Sequence, residues 1–190
     1  MTDFLTRFFG NAFLFPVLVF LTAAMAAVFS VYLLCVKESN TEKLEKISRW
    51  KIPGMILGVF VLAWCIPHAM PILPVSLHKF LFPLLVAAVV CAWFTLDHLF
   101  SRALGGYMIL TAHMFLRETY AFDGFGTPVH AVFFLIYGTM GIYLCGLPYR
   151  LRDLIRLEQK RGIRWIFPVY FLLFAAILLS TGIRYLRYFS

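Results

Sequence analysis

Apolar residues fall along this chain in long unbroken stretches, with the charged residues gathered between them. From Asn11 to Val36 there are 26 residues without a charge, and about 20 suffice to cross the hydrocarbon core of a bilayer. Further apolar runs cover Ile52–Ala69, Phe80–Leu96, Ala103–Leu116, Val129–Leu147 and Trp165–Ile183. The pattern predicts an all-α integral membrane protein, a single transmembrane domain over residues 1–190. It is expected to be a compact bundle of six transmembrane helices, at about 11–36, 52–69, 80–96, 100–119, 129–147 and 165–183. The fourth apolar run is short at 14 residues. A re-entrant segment is therefore the competing reading, unless the helix takes in flanking residues such as Leu99, Phe100 and Thr119 or the bilayer thins around it.

Charge arbitrates between the two. If all six runs cross, twelve of the 17 cations fall on one face. They are Lys37, Lys43, Lys46, Arg49 and Lys51, then Arg102, then Arg150, Arg152, Arg156, Lys160, Arg161 and Arg164. Arg7, Lys79, Arg117, Arg184 and Arg187 fall on the other. A fourth run that did not cross would split the two most cationic connectors between opposite faces, against the positive-inside tendency. The expected topology thus has basic inner connectors at 37–51 and 148–164 and both termini on the non-cytoplasmic side. Trp50 and Trp165 then sit together at the inner interface. The location implied is a multi-pass membrane one, the cell or inner membrane if the source is bacterial.

Composition agrees. The chain is 62% apolar and 14% charged, where soluble domains average nearer half and a quarter. Its net charge of +8 lies in the connectors, which suits anionic lipid headgroups and not nucleic acid. The first run is expected to be a retained span and not a cleaved leader. Arg7 before it is offset by Asp3, and apolar sequence continues ten residues past Ala26, longer than a leader's apolar core. Cys35, Cys65, Cys91 and Cys145 have no metal-binding spacing and are expected to be small buried hydrophobes. In the first connector, Ser39 and Glu42 have capping-box spacing, and Glu42–Lys46 and Glu45–Arg49 are oriented helical pairs. In the last, Leu151, Leu154 and Ile155 share one side, the pattern of a short helix in the headgroup region. "FP" recurs at Phe15-Pro16, Phe82-Pro83 and Phe167-Pro168, but at unequal intervals that establish no repeat.

Candidate chemistry is sparse. His68, His78, His113 and His130 all fall toward the expected outer face, with Glu118 and Asp123 in the loop that adjoins the fourth and fifth spans. These six residues form the candidate outer-face pocket, and at least two of the imidazoles are expected within about 8 Å of each other, a reach that one shared metal ion could bridge. Their spacings of 10, 35 and 17 residues put no two on one helix face, so a metal or haem site is less favoured than interface or packed histidines, and no cofactor is expected. His113 is the ionisable side chain most clearly inside a span, and the bland alternative is a hydrogen bond to a hydroxyl such as Thr139. Asp97 and Arg102 are expected to form an inner-face structural pair, with Asp97 capping the following helix. Gly105, Gly106 and Ala112 in the fourth run, and Gly138, Gly141 and Gly146 in the fifth, give small surfaces for close helix contact.

No nucleophile elbow, phosphate-binding loop or metalloprotease motif is present, and no Asp, Glu, Lys or Arg lies deep in a span. The leading expectation is a polytopic membrane protein without catalytic chemistry of its own, a membrane subunit or partner-binding component in contact with membrane lipids and with a protein partner or further copies of itself. The alternatives are a transporter or channel for a small, weakly polar solute, and a membrane redox or lipid-modifying enzyme with a cofactor held by outer-face histidines.

Overall fold

The computed structural model describes residues 14–35, 50–121, 128–151, 153 and 165–189. They form an all-α bundle of six long helices: α1 (Leu14–Cys35), α2 (Lys51–Ala69), α3 (His78–Thr95), α4 (Leu99–Ala121), α5 (Pro128–Gly146) and α6 (Ile166–Phe189), with a 3₁₀ turn at Val75–Leu77 leading into α3. Five of them, all but α4, are long and apolar enough to cross a membrane. These lengths and compositions suit a multi-pass membrane protein. Asp123 and most of the connectors 37–51 and 148–164, with the helical character expected of them, lie outside the described residues.

Helix starts follow backbone chemistry. Pro16, Pro53, Pro128 and Pro168 each lie in the first turn of a helix, where the backbone N–H has no acceptor within the helix and its loss costs nothing.

Contacts between helices fix their directions. Thr22 of α1 meets Tyr107 of α4, and Phe15 meets Phe115, so these two run antiparallel. Ser30, late in α1, donates to the carbonyl of Pro168 at the start of α6. Lys51, first in α2, stands over the Trp93 ring near the end of α3. One end of the bundle therefore gathers Cys35, Lys51, Thr95, Leu99, Gly146 and Ile166; we call it the connector end. The opposite end, with Ala69, His78, Ala121 and Pro128, is the histidine end. Trp50 and Trp165 are both exposed at the connector end, as amphipathic indoles at an interface would be.

Helix α4 is the centre of the packing, between α2 and α5 and touching α1. The short fourth run belongs to a continuous helix of 23 residues. Its seam with α5 is set by backbone contact. A Cβ on Gly105 would lie 2.6 Å from the Gly141 carbonyl oxygen, and one on Gly141 would lie 2.8 Å from the Gly105 oxygen. Only hydrogen fits at either place, and two backbones that close gain dispersion contacts that lipid cannot supply. On the α2 side, Gly54 admits the backbone of Phe100 in the same way, at 2.6 Å from its nitrogen.

Two expectations are corrected. The cysteines are not buried: Cys35 and Cys91 are exposed, and Cys65 and Cys145 are half-buried. A thiol is apolar enough to face lipid, so burial in protein was not required of it. Asp97 and Arg102 form no ion pair among the described residues; Arg102 instead donates to the Cys145 carbonyl oxygen at 3.3 Å. That carbonyl is in the last turn of α5, where orphan acceptors and the helix dipole attract a cation. Between Asp97 and α4 stands His98 with φ of 58°, a left-handed turn residue, while Asp97 is left exposed.

Candidate functional site

Hydroxyl groups define the middle of the bundle. Thr22 on α1 and Tyr107 on α4 share a hydrogen bond of 2.8 Å, both side chains being buried. Thr111, one turn along α4, donates back to the Tyr107 carbonyl oxygen at 2.7 Å, and the Tyr137 phenol of α5 bonds to the Thr111 hydroxyl. Each of these four hydroxyls has at least one partner, as an apolar medium favours.

From this layer a groove of about 540 Å³ extends toward the connector end, within the range of small-molecule sites. Helix α1 lines one wall with Ala24, Met25, Val28, Phe29 and Tyr32, and α4 supplies Phe100, Leu104 and Met108. Met140 and Leu144 of α5, Phe167 and Phe171 of α6 and Leu151 close the rest. Met25, Val28 and Tyr32 are also exposed on the bundle surface, so the groove opens sideways. Its walls are held in place by aromatic contacts. Phe174 stacks on Tyr137 at 4.6 Å, Tyr170 stacks on Phe133 at 5.6 Å, and the Tyr170 hydroxyl donates to the Phe133 carbonyl oxygen. The lining offers shape and dispersion, with almost no donor or acceptor free for chemistry.

The histidine end holds the residues singled out from the sequence. His68 of α2 and His113 of α4 come together, with ring centroids 5.7 Å apart and planes at 70°. Both rings are exposed on the bundle surface. Arg117 acts electrostatically on His68 and is itself paired with Glu118 at 2.8 Å. The other two histidines are elsewhere. The Nε2 of His78 faces the carbonyl oxygens of Met70 and Leu73 at 3.0 and 3.1 Å; both partners only accept, so Nε2 carries the hydrogen and the ring pins the turn before α3. His130 lies beside Phe134, with Arg184 of α6 acting on it. Thr139 donates to Leu135 of its own helix, so it does not tether His113.

Of the four imidazoles, the fold thus brings together His68 and His113. Two imidazoles with their centroids at that separation could each turn a nitrogen toward one cation, but among the described residues no group of three or more metal-ligating side chains gathers. The groove and its hydroxyl layer were not singled out from the sequence. The available signal was Thr22, Tyr107, Thr111 and Tyr137, hydroxyls at mid-depth in apolar runs, where lipid gives them no partner. Comparison with family models, curated proteins and solved structures finds no match for the chain.

Proposed function

We propose that this chain is a membrane-embedded binding component without catalysis of its own, and that its guest is a largely apolar molecule held in the groove among α1, α4, α5 and α6. The observation that carries this reading is the groove itself, about 540 Å³ with an almost wholly apolar lining. Sites of that size and character bind by shape and apolar contact. The hydroxyls at its floor are bonded to one another or to backbone. The test is extraction of bound molecules from protein purified in mild detergent, for the wild type and for Ala24→Trp. Ala24 is exposed and lines the groove, so an indole there fills open space and leaves the core alone. The wild type should carry about one apolar molecule per chain and the variant almost none. Equal amounts in both would reject the reading.

Helix α3 favours a second reading, a subunit role. It touches the rest of the bundle chiefly at α2, and Phe80, Leu84, Val90 and Phe94 remain exposed along it. A protein partner or another copy of the chain could take the place of lipid along that loosely held helix. Size measurement in lipid nanodiscs tests it: a monomer with no associated protein would reject a subunit role.

A further inference from the structure

We infer that the guest of this groove is an anionic glycerophospholipid of the surrounding bilayer, one acyl chain lying in the groove and the headgroup at the connector end. The inference rests on the binding reading above and adds the guest's class and orientation. Depth is the first argument. The α1 wall runs from Thr22 to Leu33, about 17 Å at helical rise, which is roughly half of a ~30 Å hydrocarbon core. The groove therefore has the reach of one leaflet and not of the whole membrane.

Polarity gives the orientation. At the mid-depth floor, Thr22 is bonded to Tyr107, and Tyr137 to Thr111, which is bonded in turn to the Tyr107 carbonyl. A headgroup placed there would find these hydroxyls already bonded to one another or to backbone, and most of its own desolvated groups would go unpaired. The tail end meets no such cost. The headgroup belongs at the other end, where Tyr32 and Leu151 line the mouth.

Charge gives the class. Arg150 is exposed beside Leu151, with its guanidinium 5.5 Å from the Tyr149 ring and 3.5 Å from the Asp153 carboxylate, an exposed pair that leaves it open to a headgroup. In sequence, the chain between Leu147 and Trp165 carries six cations against two acids, Asp153 and Glu158. Cations near a membrane surface favour anionic over zwitterionic headgroups.

Native mass spectrometry of delipidated full-length protein tests this, with phosphatidylglycerol, phosphatidylcholine of the same chains, and free oleate as probes. One phosphatidylglycerol should bind per chain, about tenfold tighter than phosphatidylcholine, with oleate weaker still. Vesicle competition should show the preference shrinking as salt rises, because screening shortens the reach of the charges. Arg150→Glu should cut the preference by about threefold while phosphatidylcholine binding holds. Ala24→Trp should remove binding of both lipids; Met140→Trp, filling the opposite wall, serves if that variant does not fold. Equal binding of the two phospholipids, lost on filling the groove, overturns the anionic inference and leaves an apolar guest standing. Tighter binding of oleate overturns the diacyl class. No bound lipid, or a dimer that excludes lipid, overturns both readings.

Discussion

Helices α3 and α4 are joined by a turn of three residues, Leu96 to His98, and they are opposites. The apolar α3 has one buried side chain, Leu81. By contrast α4, which falls outside the five sufficiently apolar helices, buries Leu99, Ser101, Ala103, Tyr107, Met108, Thr111, Ala112, Met114, Phe115 and Thr119. In water this would be inverted, since burial there is driven by apolar surface. In a bilayer, lipid is as apolar as leucine, so apolarity marks the outside of the bundle. Small residues and paired hydroxyls mark its inside.

The largest effect should come from crowding the α4 seam. Gly105→Leu forces a side chain against the Gly141 oxygen and the Cys145 backbone, both within 3 Å of its Cβ, and should cost about 3 kcal/mol or more. Reversible unfolding in mixed micelles measures it, and a near-neutral result would show that α4 and α5 do not pack as described. Next, Leu84→Asp on α3, at a residue 64% exposed, should lower membrane insertion by about 3 kcal/mol in a translocation assay. Efficient insertion would mean that α3 is not lipid-facing, and the contrast with α4 would fail. Thr22→Val removes one half of the Thr22–Tyr107 bond and should cost about 0.6 kcal/mol, the average for hydrogen bonds between membrane helices. A loss several times larger would make the hydroxyl layer a major source of stability. Smallest is Gly146→Ala, where a Cβ would meet nothing within 4 Å. Relief of glycine's helix penalty should leave stability unchanged or raise it by up to about 1 kcal/mol. Destabilisation there would point to a neighbour at that position.

Helix positions were legible because lipid demands continuous apolar sequence, and each helix begins close to where its run announced it. Ends were less so. Helix α6 runs on past Ile183 through Arg184 and Arg187 to Phe189, since a helix can leave the hydrocarbon without ending. The same holds for α4. Its apolar run stops at Leu116, but its last turn continues through Arg117 and Glu118, which hold each other and so can stay helical at an interface. The meeting of His68 and His113 followed from both lying near one end of parallel-running helices; that His78 turns back to Met70 and Leu73 did not, since this depends on how the turn between α2 and α3 folds. The groove was least legible. It depends on the rotation of four helices about their own axes, and neither Ala24 nor Met140 differs from any other apolar residue until that rotation is known.

The modest apolarity of α4 also bears on how the chain is made. A segment leaving the ribosome is first weighed by itself against lipid, before its neighbours exist, and α4 carries Arg102, His113, Arg117 and Glu118 into that comparison. Its glycine face fits α5, which is synthesised only afterwards. Biogenesis is thus expected to admit the two as a hairpin, with α4 waiting at the insertion machinery until α5 emerges. A chain halted after Ala121 would leave its future centre outside the membrane.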